Sequence, residues 1–104
     1  MELSAEQTAA LHVYLEEIQR WNSRVNLTSV VPADAWGRHI EQSLHLLTIA
    51  AAAAGDMLVD VGSGTGAPGL VIAVARPDLE VLLIEADTRK AAFKPTIGLE
   101  NRHV

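Results

Sequence analysis

One stretch restricts the fold of this chain more than any other, and it runs from residue 58 to residue 69. There a short apolar run ends at an acidic residue and gives way to four glycines within eight positions. Glycine adopts backbone conformations that other residues avoid, and it lets a ligand approach the bare main chain. The pattern therefore predicts a buried strand that turns sharply into a helix. The stretch is Leu58-Val59-Asp60-Val61-Gly62-Ser63-Gly64-Thr65-Gly66-Ala67-Pro68-Gly69.

The residues before this stretch have helical periodicity. Ser4 and Gln7 fit a capping box, and apolar residues then recur every three or four positions, which predicts an amphipathic helix from residue 4 to about residue 22. Residues 22–31 have no clear period and predict a connection. Trp21 lies on the apolar stripe of the helix, so we expect it to pack in the core.

A second helix is expected to start at Pro32, because proline suits the first turn of a helix. Apolar residues then recur at helical spacing from Trp36, which we also expect in the core, and Gly55 is the predicted end. The alanine run over residues 50–54 either continues this helix or forms a short helix of its own.

Beyond Gly55 the helical period changes to short apolar runs. Residues 57–61 and 80–84 predict two strands, and residues 70–75 predict a helix between them. A further broken helix is expected from residue 88 to residue 93. The order predicts an α/β fold of the Rossmann-like type, with two parallel strands joined by a right-handed crossover. We expect two parts, an N-terminal helical segment over residues 1–56 and the start of an α/β domain over residues 57–104.

Composition limits the possible functions. A chain of 104 residues that is 49% apolar can form one small domain with a core. It has no cysteine, which excludes a disulfide framework, a thiolate metal site and a thiol nucleophile, and we predict no metal site. No signal peptide is recognisable at the start, and the apolar run from Leu46 to Gly55 is too short to cross a bilayer. We expect a cytoplasmic protein.

Charge gives a weaker indication. The net charge of −5 argues against non-specific binding to nucleic acid, which normally requires a basic surface. Bases outnumber acids only in residues 86–104. There Arg89 and Lys90 either balance the carboxyl end of the sheet or face RNA phosphates.

The glycine-rich turn contains the spacing of a dinucleotide fingerprint, with Gly64, Gly66 and Gly69 as its glycines. An acid, Glu85, follows Gly66 by nineteen residues, at the end of the next predicted strand, where it can accept both ribose hydroxyls of an adenosine. Tight turns also use glycine without a ligand, and acids at strand ends are often only solvated. The combination of turn and acid favours an adenosine-containing ligand.

Asp60 discriminates among such ligands. A carboxylate at the mouth of the turn would repel a pyrophosphate but would pair with an ammonium group. S-adenosylmethionine has an ammonium group and a sulfonium cation, and it has no pyrophosphate. Asp60 therefore favours methyl transfer over nicotinamide chemistry, and the lack of a Gly-Lys-Ser/Thr sequence argues against a phosphate-binding loop.

Several motifs together resemble the glucose-inhibited-division-B family. They occur in the order and at the spacing of that family from about Leu11 to Phe93. Its members are the small-subunit ribosomal RNA methyltransferase G enzymes, which methylate N7 of a guanosine in 16S ribosomal RNA. The motifs are Trp21-Asn22, Asn26-Leu27-Thr28, Arg38-His39-Ile40, Ser43-Leu44, the stretch from Asp60 to Gly69, and Glu85 with Arg89, Lys90 and Phe93.

The resemblance implies S-adenosylmethionine as cofactor and 16S ribosomal RNA, or the small ribosomal subunit, as partner. It places Gly62 and Ala67 at the methionine and adenosine sites and Glu85 at the ribose. Arg38 and His39 become candidates for contact with RNA. The alternative is structural, with Arg38 paired to an acid of its own helix and His39 hydrogen-bonded within the helix packing. The predicted cofactor-binding residues are Asp60, Gly62, Ser63, Gly64, Gly66, Ala67 and Glu85.

The implied reaction requires no general base. The N7 lone pair of guanine is free at neutral pH, so it can attack the methyl group directly, and catalysis comes from positioning and electrostatics. No catalytic acid or base is therefore predicted. The target guanosine must lie in a loop or be splayed out, since A-form RNA hides N7 in a narrow groove.

The chain also departs from the family. Gln42 stands where the family usually has an acid, and Ala67 stands where it has a larger apolar residue. Residues 94–97 replace about two turns of helix. Family members are about twice as long and build a larger sheet, so the resemblance implies an N-terminal part that ends after the second strand.

Three functions remain open from the sequence. The first is an S-adenosylmethionine-dependent ribosomal RNA methyltransferase, and whether these 104 residues suffice for activity is left open. The second is an inactive fragment that serves as a folding or interaction module and has an exposed apolar strand edge. The third is a nicotinamide-linked enzyme.

Overall fold

The computed structural model describes residues 2–62 and 64–87 in full, and the backbone of residues 102–103. The predicted site residue Ser63, the predicted helix over residues 88–93 and the basic pair Arg89 and Lys90 lie outside the described residues. In chain order the elements are α1 (Ala5–Asn22), a 3₁₀ turn (Pro32–Asp34), a π-helix (Trp36–Glu41), α2 (Gln42–Ala50), β1 (Met57–Val61), α3 (Gly69–Ala75), β2 (Glu80–Ile84) and β3 (Arg102–His103).

Helix α1 begins with the predicted capping box. The backbone N–H of Gln7 donates to Ser4 Oγ at 3.0 Å, and the backbone N–H of Ser4 donates to Gln7 Oε1 at 2.8 Å. These two bonds satisfy backbone donors that the first turn of a helix otherwise leaves unpaired. Leu11, Tyr14 and Ile18 form the buried stripe of the helix, as their spacing predicts.

The expected helix from Pro32 to Gly55 was wrong in two respects. It starts as a 3₁₀ turn and a π-helix, and it ends five residues early, because Ala51 adopts a left-handed conformation with φ of 50°. The side chain of Asp56 accepts a hydrogen bond from the backbone N–H of Ala53 at 2.8 Å. Such local bonds compete with helical ones, so the chain turns towards β1 despite the helix propensity of alanine.

The sheet is parallel and has the order β1-β2-β3. β1 pairs with β2 from Met57 opposite Glu80 to Val61 opposite Ile84, and α3 connects the two strands. The expectation of a chain that ends after two strands was wrong, since residues 102–103 pair in parallel with Leu82 and Leu83. A strand of two residues is too short to have a recognisable alternation of apolar and polar side chains.

The helices and the sheet share one core. It joins residues of the N-terminal helical segment, such as Leu11 and Ile40, to residues of the βαβ unit, such as Val71 and Val81. Both tryptophans are half-buried against this core, as predicted. Among the described residues, no helix has the length and apolarity needed to cross a membrane.

One side of β1 is uncovered. Met57, Val59 and Val61 are 53%, 48% and 75% exposed, whereas the alternate residues Leu58 and Asp60 are half-buried. Because side chains alternate across a strand, the first three share one face of the sheet. Helix α3 packs on the opposite face, against Asp60 and Leu83.

Candidate functional site

Asp60 is the last residue of β1 on the face that packs against α3, and its side chain reaches the start of that helix. Its Oδ2 accepts a hydrogen bond from the backbone N–H of Gly69 at 2.9 Å. This N–H opens the helix, at the position where a pyrophosphate lies in a dinucleotide-binding turn. A carboxylate occupies that position here.

Gly69 is required for packing. A Cβ atom added there would lie 2.5 Å from Leu83 Cδ2 and 2.8 Å from Asp60 Cβ. Both distances are shorter than any van der Waals contact, so only glycine lets α3 approach the sheet this closely. The last glycine of a dinucleotide fingerprint has the same function.

The other three glycines shape the turn. Gly62, Gly64 and Gly66 have φ of 72°, 49° and 98°, conformations that other residues rarely adopt. A Cβ added at Gly62 would meet nothing within 4 Å, and one at Gly64 only the Gly62 carbonyl at 3.9 Å. These two backbone segments therefore adjoin open space, whereas Gly66 is buried against Leu70.

Glu85 lies beside the turn, as the strand pattern predicts. Its Oε1 accepts a hydrogen bond from the Gly64 N–H at 2.6 Å, and its Oε2 accepts one from the Asp87 N–H at 2.9 Å. The carboxylate at the end of β2 thus holds the turn that follows β1. The sequence separation of Gly64 and Glu85 is bridged because parallel strands bring their carboxyl ends to one edge of the sheet.

A cavity of about 470 Å³ separates the turn from the π-helix. Asp60 and Glu85 contact the turn and its helix through backbone N–H groups and are not among the described residues that line this cavity. The structure therefore brings the predicted RNA contacts to the predicted cofactor turn. The lining includes Gly62, Gly64, Thr65 and Ala67 on one side and Arg38, His39 and Gln42 on the other, with Leu27 and Thr28 from the connection after α1.

His39 is one of two buried polar residues in the lining of this cavity, the other being Ser43. His39 is 7% exposed, and its Nε2 has no hydrogen-bond partner among the described residues. Burial, and to a smaller extent the positive charge of Arg38, lowers the pKa of the imidazole. The unsatisfied Nε2 is itself inaccessible to solvent, so it can bind a polar ligand group only when the residues around it move.

Arg38 is exposed on the same π-helix and lines the cavity. Within the described part of the chain it forms no ion pair, either with Asp34 or with Glu41. Of the structural alternative, the exposure of Arg38 to solvent is found, whereas its ion pair and a hydrogen bond of His39 Nε2 are not found among the described residues. A π-helix is rare and often occurs at functional sites, because its wider turn changes which side chains share a face.

The supporting roles of two residues, Asn22 and Tyr14, were not predicted from the sequence. Asn22 Oδ1 accepts hydrogen bonds from the backbone N–H groups of Leu27 at 2.8 Å and Thr28 at 3.1 Å, which places both residues at the cavity wall. Tyr14 donates its hydroxyl to the carbonyl of Thr65 at 3.0 Å. The available signal for Tyr14 was a polar tip on an apolar stripe, since a buried tyrosine hydroxyl normally has a partner.

These features define the class of the protein. A parallel βαβ unit, a glycine-rich turn after the first strand and an acid at the end of the second are those of the nucleotide-binding half of a Rossmann-like fold. A family model described as rRNA small subunit methyltransferase G (GidB) matches residues 7–101, and the chain belongs to this family. The family predicted from the motifs is confirmed.

Individual relatives agree with this assignment. A Paracoccus denitrificans protein is 46% identical over 88 residues, covering 84% of this chain and 45% of the relative. An Acidiphilium cryptum protein is 46% identical over 89 residues (83% and 41%), and a Sorangium cellulosum protein is 45% identical over 93 residues (88% and 39%). All three are named ribosomal RNA small subunit methyltransferase G. The chain spans less than half the length of these curated relatives.

Proposed function

We propose that this chain is the N-terminal part of an S-adenosylmethionine-dependent methyltransferase that acts on N7 of a guanosine in 16S ribosomal RNA. Family membership supports methyl transfer, and the names of the relatives support ribosomal RNA as the substrate. The observation that carries the proposal is the cavity between the glycine-rich turn and the π-helix. It provides adjacent positions for a cofactor and for a base of the RNA.

The residues of the turn fit S-adenosylmethionine better than a dinucleotide. The Asp60 carboxylate at the first N–H of α3 disfavours a pyrophosphate there, and it offers negative charge to the ammonium group of the cofactor. The open backbone at Gly62 and Gly64 admits close approach of a ligand. We assign Ala67 to the same pocket, while buried Gly66 contributes through its conformation. Ser63 stays a prediction from the sequence.

Glu85 is the proposed ribose ligand. Vicinal hydroxyls pair well with one carboxylate, because each oxygen accepts one hydroxyl proton. In the described structure the two oxygens accept from the backbone N–H groups of Gly64 and Asp87. Ribose binding would then share or replace the bond to Gly64, which would couple occupation of the ribose site to the conformation of the turn.

When bound, S-adenosylmethionine supplies a methyl group attached to a positively charged sulfur. The protein has to align the base with that methyl group and exclude water, and no side chain needs to remove a proton. His39 lines the cavity, and its buried Nε2 would bind a polar edge of the base if the residues around it rearrange on binding. Its neutral state avoids adding a further positive charge to a cavity that Arg38 already lines and that has to hold a cation.

Arg38 is assigned to the RNA backbone or to closure of the site. Its exposed guanidinium is available for a phosphate, a contact that positions RNA without reading sequence. The chain has a net charge of −5, so local cations such as Arg38 matter more for RNA binding than the overall field. We place the substrate in an accessible, unpaired segment of the small ribosomal subunit, and the enzyme in the cytoplasm.

The two parts of the chain correspond to the two sides of the cavity. We propose that residues 1–56 form a helical leader that supplies the RNA side of the cavity, through Arg38 and His39. Residues 57–104 begin the α/β domain and supply the cofactor side. A cavity between two such parts suits a reaction that joins a small cofactor to a large substrate.

The exposed face of β1 favours a second candidate function. Met57, Val59 and Val61 leave an apolar strip uncovered, which suits a chain that binds another polypeptide instead of acting alone. In that case the 104 residues would be an inactive folding or interaction module. The cofactor site could be intact in either case, so binding and methyl transfer have to be measured separately.

Calorimetric titration with S-adenosylmethionine and S-adenosylhomocysteine tests the cofactor site. Asp60→Ala and Glu85→Ala should weaken binding, whereas Asp78→Ala, which removes an exposed carboxylate paired with Arg76, should not. Equal binding by all four proteins would refute the assignment. Transfer of labelled methyl groups to undermethylated small ribosomal subunits then distinguishes the enzyme from the inactive module.

A further inference from the structure

We propose that Tyr14 is a positioning residue for the cofactor turn, holding the peptide between Thr65 and Gly66 in the orientation that the ligand requires. The inference rests on the proposed cofactor site. None of the predicted cofactor-binding residues lies in α1. The proposal gives this helix a role in cofactor affinity through the position of the turn.

The hydrogen bond from Tyr14 joins distant parts of the chain. The Tyr14 side chain is 2% exposed, and its hydroxyl donates to the carbonyl oxygen of Thr65 at 3.0 Å. Burial raises the pKa of the phenol well above its usual value, so the hydroxyl keeps its proton and remains a donor. The two residues are 51 positions apart in sequence.

The segment held by this bond contains two residues with unusual backbone freedom. Thr65 lies between Gly64 and Gly66, both with positive φ, and glycine has more accessible backbone conformations than any other residue. A peptide unit that adjoins glycine, such as that between Thr65 and Gly66, rotates at lower energetic cost than others unless one of its groups is fixed. The Tyr14 hydroxyl fixes the Thr65 carbonyl.

The orientation of the Thr65 carbonyl determines the orientation of the Gly66 N–H. A peptide bond is planar and nearly always trans, so its C=O and N–H point in opposite directions. Because the Thr65 carbonyl points at Tyr14, the N–H of Gly66 points away from α1. Loss of the hydroxyl would leave the part-buried carbonyl without this donor, and rotation of the peptide would become more favourable.

A second side chain of α1 supplies a matched control. Gln7 Nε2 donates to the carbonyls of Val74 and Ala75 at 3.1 and 3.2 Å, at the far end of α3. Gln7 and Tyr14 therefore both tie α1 to the βαβ unit, but Tyr14 contacts the turn and Gln7 does not. A merely structural role for Tyr14 predicts the same consequences for both.

The test compares Tyr14→Phe with Gln7→Met. Tyr14→Phe keeps the buried ring and should raise the dissociation constant for S-adenosylhomocysteine about five- to tenfold, the effect of one lost hydrogen bond. It should also speed hydrogen exchange at the amides of Gly64 and Gly66 in the ligand-free protein. Gln7→Met should lower the melting temperature at least as much as Tyr14→Phe does. It should leave the dissociation constant and the hydrogen exchange at Gly64 and Gly66 unchanged.

Two results would overturn the proposal. One is an unchanged dissociation constant and unchanged exchange in Tyr14→Phe. The other is a loss of affinity in both variants in proportion to their loss of melting temperature. Failure of the wild-type protein to bind either ligand would refute the proposed function instead, and the exchange at Gly64 and Gly66 would still decide whether Tyr14 orders the turn.

Discussion

The carboxylate of Asp60 accepts a hydrogen bond from the backbone N–H of Gly69 across 2.9 Å. The same residue is the proposed partner of the cofactor's ammonium group. Asp60 therefore has two separable roles. Its oxygen accepts the hydrogen bond that caps α3, and its negative charge lies at the mouth of the turn. Substitutions that remove one property or both give different expected results.

Asp60→Asn keeps an acceptor for the Gly69 N–H and removes the charge, so stability should change little while affinity for S-adenosylmethionine falls about tenfold. Asp60→Ala removes both properties and should also lower the free energy of unfolding by about 1 kcal/mol, as loss of a helix cap does. Urea denaturation and calorimetry measure the two effects. Wild-type affinity in Asp60→Asn would show that the charge is not used.

Gly69→Ala should lower the free energy of unfolding by about 1–3 kcal/mol, because the new methyl group overlaps Leu83 and the Cβ of Asp60. Gly37→Ala is the control, since a Cβ there meets nothing within 4 Å. In a helical segment alanine is favoured over glycine, so this variant should gain up to about 1 kcal/mol. Equal stability of the two variants would contradict the close packing of α3.

His39 should make stability depend on pH. Its pKa is lowered in the folded state, so the unfolded chain binds the proton more readily. The contribution is fully present above the unfolded pKa of about 6.5 and is lost as the pH falls through the folded value.

The test is the urea midpoint of wild-type protein and variants between pH 8 and pH 5. His39→Gln should flatten the decline below pH 6.5, whereas the exposed His45→Gln should leave it unchanged. If both variants decline as the wild type does, other groups cause the pH dependence.

The uncovered face of β1 should promote self-association of the 104-residue chain. Val61→Lys, at a side chain that is 75% exposed, should shift the chain towards monomer in sedimentation velocity experiments. Val13→Lys, at a residue of α1 that is 51% exposed, should not. A monomeric wild-type chain at high concentration would show that the exposed face does not drive association.

The sequence by itself determined the parts of the fold that depend on local patterns. The capping box of Ser4 and Gln7 placed the start of α1, and two apolar runs gave β1 and β2 with the bounds that the structure has. The glycine spacing located the turn, because each positive φ among the described residues of the turn belongs to a glycine, the residue that adopts such angles without steric cost. Motif order along the chain was also enough to identify the family.

Only the tertiary structure decided how these parts work together. It placed His39 and Gly62 in the lining of one cavity, and it joined Tyr14 to Thr65 over 51 residues. It also showed that Asp60 caps α3 and that the second helix ends at Ala50. Such relationships arise from packing between segments that are distant in the chain, and packing of that kind leaves no periodic signal in the sequence.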